Sequence, residues 1–211
     1  MSAARLLLAT RNPAKLAELR RILASSGTAV GVVGLADVPG FPAAPETGAT
    51  FEENALAKAR DAAAATALPA VADDSGLVVD ALGGMPGVLS ARWAGRHGDD
   101  TANLRLVLDQ MSDVPEHRRG AVFVCAAALV VPAGGQFGAP GELVVRGEWR
   151  GTLTRAPRGS NGFGYDPIFV PEGERRTSAE LDPAEKDACS HRSRALRALL
   201  PALRQLTSPL W

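Results

Sequence analysis

The sequence predicts an α/β fold built on a mixed β-sheet. Three observations carry that expectation. Short apolar runs alternate with helical patterns through the first half of the chain, as in βαβ proteins. Two longer extended runs in the second half flank a Pro/Gly-rich stretch and read as a hairpin, which a purely parallel sheet would lack. The chain has 211 residues, 46% hydrophobic and 22% charged, the range of an ordinary globular protein. That length suits one domain or one domain of two lobes, and residues 1–211 are taken as a single two-lobed domain.

Residues 5-RLLLAT-10 form a short buried strand that feeds directly into a helix over 11–27. Asn12 is its candidate N-cap, Pro13 its first helical residue and Gly27 its stop. Leu16, Leu19 and Leu23 line one face. A second helix over 50–68 opens with Thr50 and Glu53 in a capping-box pattern and continues through an alanine-rich body. Next come a strand, 70-AVAD-73, a turn at Asp-Ser-Gly and a second strand, LVVD. Residues 99–111 read as a helix with Leu104, Val107, Leu108 and Met111 aligned. The hairpin occupies 120–132 and 142–155. The chain then ends in a helix over 182–206, started by Asp182, Pro183 and Glu185, with Leu196, Leu199, Leu203 and Leu206 as its buried stripe. Pro201 is expected to kink or divide it.

Lys+Arg and Asp+Glu both number 23, so the formal charge is zero. Nucleic-acid binders usually carry a basic excess, which argues against a long polyanion as partner but permits a small anion in one pocket. The first residues lack a signal-peptide core, and no apolar run approaches the ~20 residues of a membrane helix, so no membrane partner is expected. Cys125 and Cys189 form no CxxC pair, which suggests neither a disulfide framework nor a zinc site and fits a reduced, cytoplasmic setting.

Four stretches could carry chemistry. In 10-TRNPAK-15 a strand runs into a helix start, where unpaired amides, the helix dipole and Lys15 favour a phosphate, with Thr10 and Asn12 as further contacts. A well-capped helix with a solvated lysine explains the same residues. The glycines of a Walker A loop are absent. Asp73 and Asp74 stand side by side, a costly placement unless something neutralises them. The stretch reads either as a solvated turn or as a cation site at a strand end. Magnesium needs only one or two carboxylates beside substrate phosphates, and Glu46, in the loop 45-PETG-48, could be a second ligand. Glu52 and Glu53 are explained as first-turn acids of a helix. In 159-GSNGFGYDPIF-169, Phe163 and Tyr165 sit on a glycine-rich loop. They form either a stacking platform for a base or part of the core. Finally, 186-KDACSHRSR-194 offers Lys186, His191 and Arg192 as donors to a carbonyl or phosphate, or as a solvated basic face.

The order and spacing of these motifs resemble one family. T-x-N-x-x-K at the start, F-x-E-N-A at 51–55, DDSGL at 73–77, GxPG-x-x-SAR at 84–92, GFGYDPIF at 162–169 and K…SHR at 186–192 are similar to the inosine/xanthosine triphosphate pyrophosphatases. The likeness runs from residue 5 to about residue 200, and GFGYDPIF and SHR are its most specific parts. It implies an elongated mixed sheet with flanking helices, two lobes around a central cleft, and a homodimer. It also implies Mg²⁺-dependent hydrolysis of ITP, dITP and XTP to the monophosphate and pyrophosphate.

Carried over by motif, Thr10, Arg11, Asn12, Ala14 and Lys15 would hold the triphosphate. Asp74 would be the general base and, with Glu46, a metal ligand. Ser75, Phe163, Gly164, Tyr165, Asp166, Lys186, His191 and Arg192 would contact substrate. Phe163 would stack on the base while the segment around His191 and Arg192 donates to a 6-keto oxygen. Lys58 and Arg92 are second-rank candidates. Arg11 and Asn161 stand where many relatives have glycine. The single glutamate of PETG, where some relatives have two, places Glu46 behind Asp74 as a ligand. Two rival readings remain: a nucleotide sensor without turnover, and a triphosphatase for modified pyrimidine nucleotides.

Overall fold

The computed structural model describes residues 5–27, 30–42, 45–133 and 140–206. Among these residues six strands form one sheet in the order β2-β1-β3-β4-β5-β6. They are β1 (Arg5–Leu8), β2 (Gly31–Gly34), β3 (Ala70–Val79), β4 (Gly120–Val131), β5 (Gly141–Leu153) and β6 (Phe169–Pro171). Strand β1 runs parallel to β2 and β3, while β5 and β6 are antiparallel. The sheet is therefore mixed. Among the described residues five α-helices accompany it: α1 (Pro13–Ser26), α2 (Phe51–Thr66), α3 (Asp100–Gln110), α4 (Pro183–Cys189) and α5 (His191–Gln205).

Two compact units share the chain. The first comprises 1–74, 125–147 and 192–211, the second 75–124 and 148–191. Each has its own apolar core. In the first, Leu6 and Leu8 of β1 meet Leu19, Ile22 and Leu23 of α1, and Leu196, Leu199 and Leu203 of α5. The stripes on both helices follow the spacing expected of an amphipathic helix. In the second, Leu104, Val107 and Met111 of α3 pack with Phe123, Trp149, Leu153 and Phe169. Removing a side chain of that size from water contributes roughly 1.5–3 kcal/mol.

The helix starts follow local chemistry. Thr50 Oγ1 accepts the Glu53 amide at 3.1 Å, and the Glu53 carboxylate turns back onto the Ala49 amide at 2.7 Å. The box therefore closes one residue further out than a standard one. Asp99 caps α3 by accepting from Ala102 at 3.0 Å, and Asp182 with Glu185 forms a full capping box on α4. Gly27 adopts a left-handed φ of 69° directly after α1.

Two expectations are corrected. Asp-Ser-Gly is not a turn, because β3 passes through it as ten continuous strand residues. Residues distant in sequence hold it extended: Ser90 Oγ accepts the Leu77 amide at 2.9 Å and itself donates to Gly87 O at 2.7 Å. A Cβ on Gly76 would run into the Ser90 hydroxyl and lie 2.5 Å from Gly87 O, so only glycine allows this approach. The C-terminal helix divides at Ser190, not at Pro201. Ser190 is extended (φ −65°, ψ 158°) and its amide closes α4 on Lys186 O. Pro201 lies within α5 on the exposed face shared with Arg197 and Arg204, where a carbonyl freed by the missing amide meets water.

Gly76→Ala is expected to lower stability by about 1–3 kcal/mol through overpacking against Ser90 and Gly87. Urea unfolding measures this, and an unchanged midpoint would show that the segment yields at no cost.

Candidate active site

Successive side chains on a strand point to opposite faces. That alternation separates Asp73 from Asp74. Asp73 Oδ2 lies 2.6 Å from Lys15 Nζ, in the first turn of α1, and 3.5 Å from Arg192 Nε, in the first turn of α5. Arg192 also donates to Glu18 Oε2 at 3.4 Å. The group is neutral, with two acids and two bases, and Asp73, Glu18 and Arg192 are buried. Burial alone would raise the Asp73 carboxyl. Lys15 and Arg192 outweigh it and hold Asp73 well below the usual carboxylate range. Burial in the same shell, with the Asp73 charge second, pushes the Cys125 thiol up to about 12.

Asp74 meets a different set. Its Oδ1 accepts from Lys58 Nζ at 3.0 Å and its Oδ2 from Asn54 Nδ2 at 3.1 Å. The same Lys58 ammonium donates to Glu46 Oε1 at 2.9 Å, so Glu46 and Asp74 converge on one cation. Burial raises the Asp74 carboxyl, and Lys58 lowers it less than burial and Glu46 raise it. Lys58 would be lowered by burial, but Asp74 and Glu46 raise it on balance, so it stays charged. Among the described residues no group of three or more His, Cys, Asp and Glu side chains is arranged to hold a metal ion. Two carboxylates around a stand-in ammonium nevertheless fit Mg²⁺, which takes its remaining ligands from water and phosphate.

At the α1 start, Thr10 Oγ1 accepts the Asn12 amide at 3.1 Å and orders the link from β1. Arg11 is exposed and Asn12 half-buried. Ala14 falls in the first turn of α1.

The second unit carries the glycine loop. Phe163 is 43% exposed, a large value for an aromatic ring, and Lys186 Nζ stands 5.6 Å from its centroid. The Phe163 amide donates to Asp166 Oδ2 at 2.8 Å, and the following amide, Gly164, donates to Asp100 Oδ2 at 2.9 Å. Asp166 is buried, pairs with Lys186 and accepts from Ser178 Oγ at 2.8 Å. Gly162, at φ 78°, is required because a Cβ would strike the Asp166 carboxylate and approach Lys186 Nζ to 3.0 Å. Asp166 and Lys186 are thus brought together with Phe163.

Tyr165 is not on the exposed platform: it is buried and its hydroxyl donates to Ser90 O at 2.8 Å. His191 is buried too, stacked on Phe123 at 4.8 Å and 10°. Arg192, its chain neighbour, belongs to the Asp73 group in the other unit. The two donors expected to read a base together are therefore both held inside the protein, in different surroundings. Ser75 is half-buried on β3, and Arg92 ends the 3₁₀ turn Gly87–Arg92.

Sequence reasoning passed over Asn54, Glu18, Asp100 and Ser178. Two of these had a periodic signal: Asn54 precedes Lys58 by four residues and Glu18 follows Lys15 by three, spacings that place helical side chains together.

The comparisons agree with this architecture. The model of the Ham1 family matches residues 6–202. The chain is 67% identical to the dITP/XTP pyrophosphatase of Nocardia farcinica over 98% of both chains. It is 62% identical to the dITP/XTP pyrophosphatase of Mycobacterium tuberculosis over 97% of both. A crystal structure of a nucleoside-triphosphatase / dITP/XTP pyrophosphatase from Mycobacterium abscessus superimposes with a TM-score of 0.75 at 61% identity, covering 93% of this chain and 99% of that one. A HAM1 protein from Coxiella burnetii gives a TM-score of 0.82 at 43% identity, covering 95% and 98%. The protein belongs to the Ham1 family.

Asp73→Asn is expected to cost about 3–5 kcal/mol at neutral pH, because Lys15 and Arg192 keep their charges inside with only Glu18 opposite. A carboxyl whose folded pKa is depressed stabilises the fold above its unfolded pKa, and that contribution fades as pH falls towards the folded value. Denaturant unfolding of both proteins should therefore show a gap that is constant near neutrality and narrows below about pH 4.

Proposed function

We propose that the protein hydrolyses deaminated purine nucleoside triphosphates, dITP, ITP and XTP, to the nucleoside monophosphate and pyrophosphate in the presence of Mg²⁺. That product pair fixes the α–β anhydride as the bond that breaks. The observation that carries the reading is the convergence of Asp74 and Glu46 on a single cation, in a chain so similar to relatives named dITP/XTP pyrophosphatase. Among the described residues no helix is long and apolar enough to cross a membrane. A homodimer and a cytoplasmic setting complete the proposal, on the family resemblance.

Asp74 accepts the proton of the attacking water. Its buried surroundings, which raise its carboxyl, suit it to a general base better than Asp73, which Lys15 and Arg192 hold well below the usual carboxylate range. Glu46 and Asp74 would hold Mg²⁺, which supplies charge neutralisation on the phosphates when bound. The amides at the start of α1, with Thr10 and Asn12, receive phosphate oxygens. Lys15 shares in this from its place on Asp73. In the second unit, Phe163 presents its face to the purine, while Asp166 and Lys186 fix the loop that carries it.

Incubation with dITP, XTP, dGTP and dATP, with separation of the products, tests the reading. Monophosphate and pyrophosphate from dITP and XTP, formed much faster than from dGTP or dATP, are expected; release of single phosphates would overturn it. Asp74→Asn should lower kcat by about 10²–10⁴-fold while the fold persists. Phe163→Ala should raise KM for dITP by roughly 5- to 150-fold, the value of about 1–3 kcal/mol of stacking.

A further inference from the structure

Helix α2 presents two side chains one turn apart, and both bridge the same two segments. Asn54 joins β3 to the Glu46 loop through neutral bonds, donating to Asp74 Oδ2 at 3.1 Å and accepting the Gly48 amide at 2.8 Å. Lys58 joins them through its charge, at 3.0 Å to Asp74 and 2.9 Å to Glu46. The two bridges differ in permanence. Asn54 is 2% exposed, and the loop is pressed onto it so closely that a Cβ on Gly48 would lie 2.7 Å from its Oδ1. The next amide, Ala49, is held by Glu53. Lys58 is a flexible side chain, still a quarter exposed, whose ammonium stands between the two carboxylates.

We infer that Lys58 is the resident counter-ion of the Glu46–Asp74 pair and leaves that position when the divalent cation binds, while Asn54 keeps the two carboxylates in place during the exchange. This rests on the metal-dependent reading above. The electrostatics give the exchange a direction. A divalent ion arriving with the ammonium in place meets a pair whose charge is already half neutralised, and meets the repulsion of the ammonium itself. A triphosphate brings several negative charges and offers the ammonium a better partner. Metal and nucleotide therefore help each other to bind, and the coupling runs through Lys58. Without nucleotide the metal binds weakly.

The test counts free Mn²⁺ by electron paramagnetic resonance, on wild-type protein and on Lys58→Met, with and without an α,β-imido analogue of dITP that cannot be cleaved. Lys58→Met is expected to tighten nucleotide-free Mn²⁺ binding at least tenfold, with Mg²⁺ competing in both proteins. Adding the analogue should then tighten Mn²⁺ binding much less in the variant than in the wild type. Equal nucleotide-free affinities overturn the inference, as does an equal gain from the analogue, which would mean that the ammonium stays in place beside the metal. Lys58→Gln is carried in parallel, and thermal unfolding confirms that the variant measured is folded. Failure of wild-type protein to release pyrophosphate from dITP would overturn the proposed function instead, because the Mn²⁺ titration needs no turnover.

Discussion

The alternation of side chains along β3 is the constraint on which the rest depends. Two consecutive carboxylates on one surface would repel each other at close range. On a strand they face opposite ways, and each finds its own positive partners: Lys15 and Arg192 for Asp73, Lys58 for Asp74. A buried ion pair is seldom a strong net stabiliser, but breaking one is costly, so such pairs act as selectors of arrangement. A register slip of one residue would turn each aspartate to the opposite face and leave charges buried without partners. The Asp-Asp dipeptide thus fixes which residues of β3 face which helix.

The first unit shows the same residue types used in two ways. Around Asp73 the charges balance and three of the four are buried, so the group joins α1 and α5 to β3. Around Asp74 there are two acids and one base, a residual negative charge with partial exposure. That imbalance makes the second group receptive to an added cation and the first indifferent to one. In the second unit the glycine loop follows a related logic. Asp166 meets the Phe163 amide, Ser178 and Lys186 at once, and the ring it supports remains outside.

Much of this was legible in the sequence. The strand–helix start, the Thr50 cap, the α3 stripe, the two long strands of the second half and the leucine stripe of α5 are all local patterns, and each formed close to where its period placed it, while most of the turn between those two strands lies outside the described residues. The Asp-Ser-Gly turn failed because local turn preference was overruled by Ser90 and Gly87, which no nearby residue announces. Pro201 failed as a divider because it falls on a wet face, whereas Ser190 became the break. At the site, residue type singled out the acids and cations more readily than it paired them. Glu46 and Asp74 do converge. Which lysine meets which aspartate depends on strand facing, and Asn54 read as an ordinary helix residue although it bonds to both segments.

Cys125 lies in the shell that encloses Asp73, and with its thiol pushed up to about 12 it holds almost no thiolate at neutral pH. Cys189, at the end of α4, is only half-buried and is the second of the two cysteines. The protein therefore carries one addressable sulfur without any engineering. A thiol-reactive dye should settle on Cys189, three residues beyond Lys186, and report from the helix that holds the Phe163 loop while the Asp73 shell stays untouched.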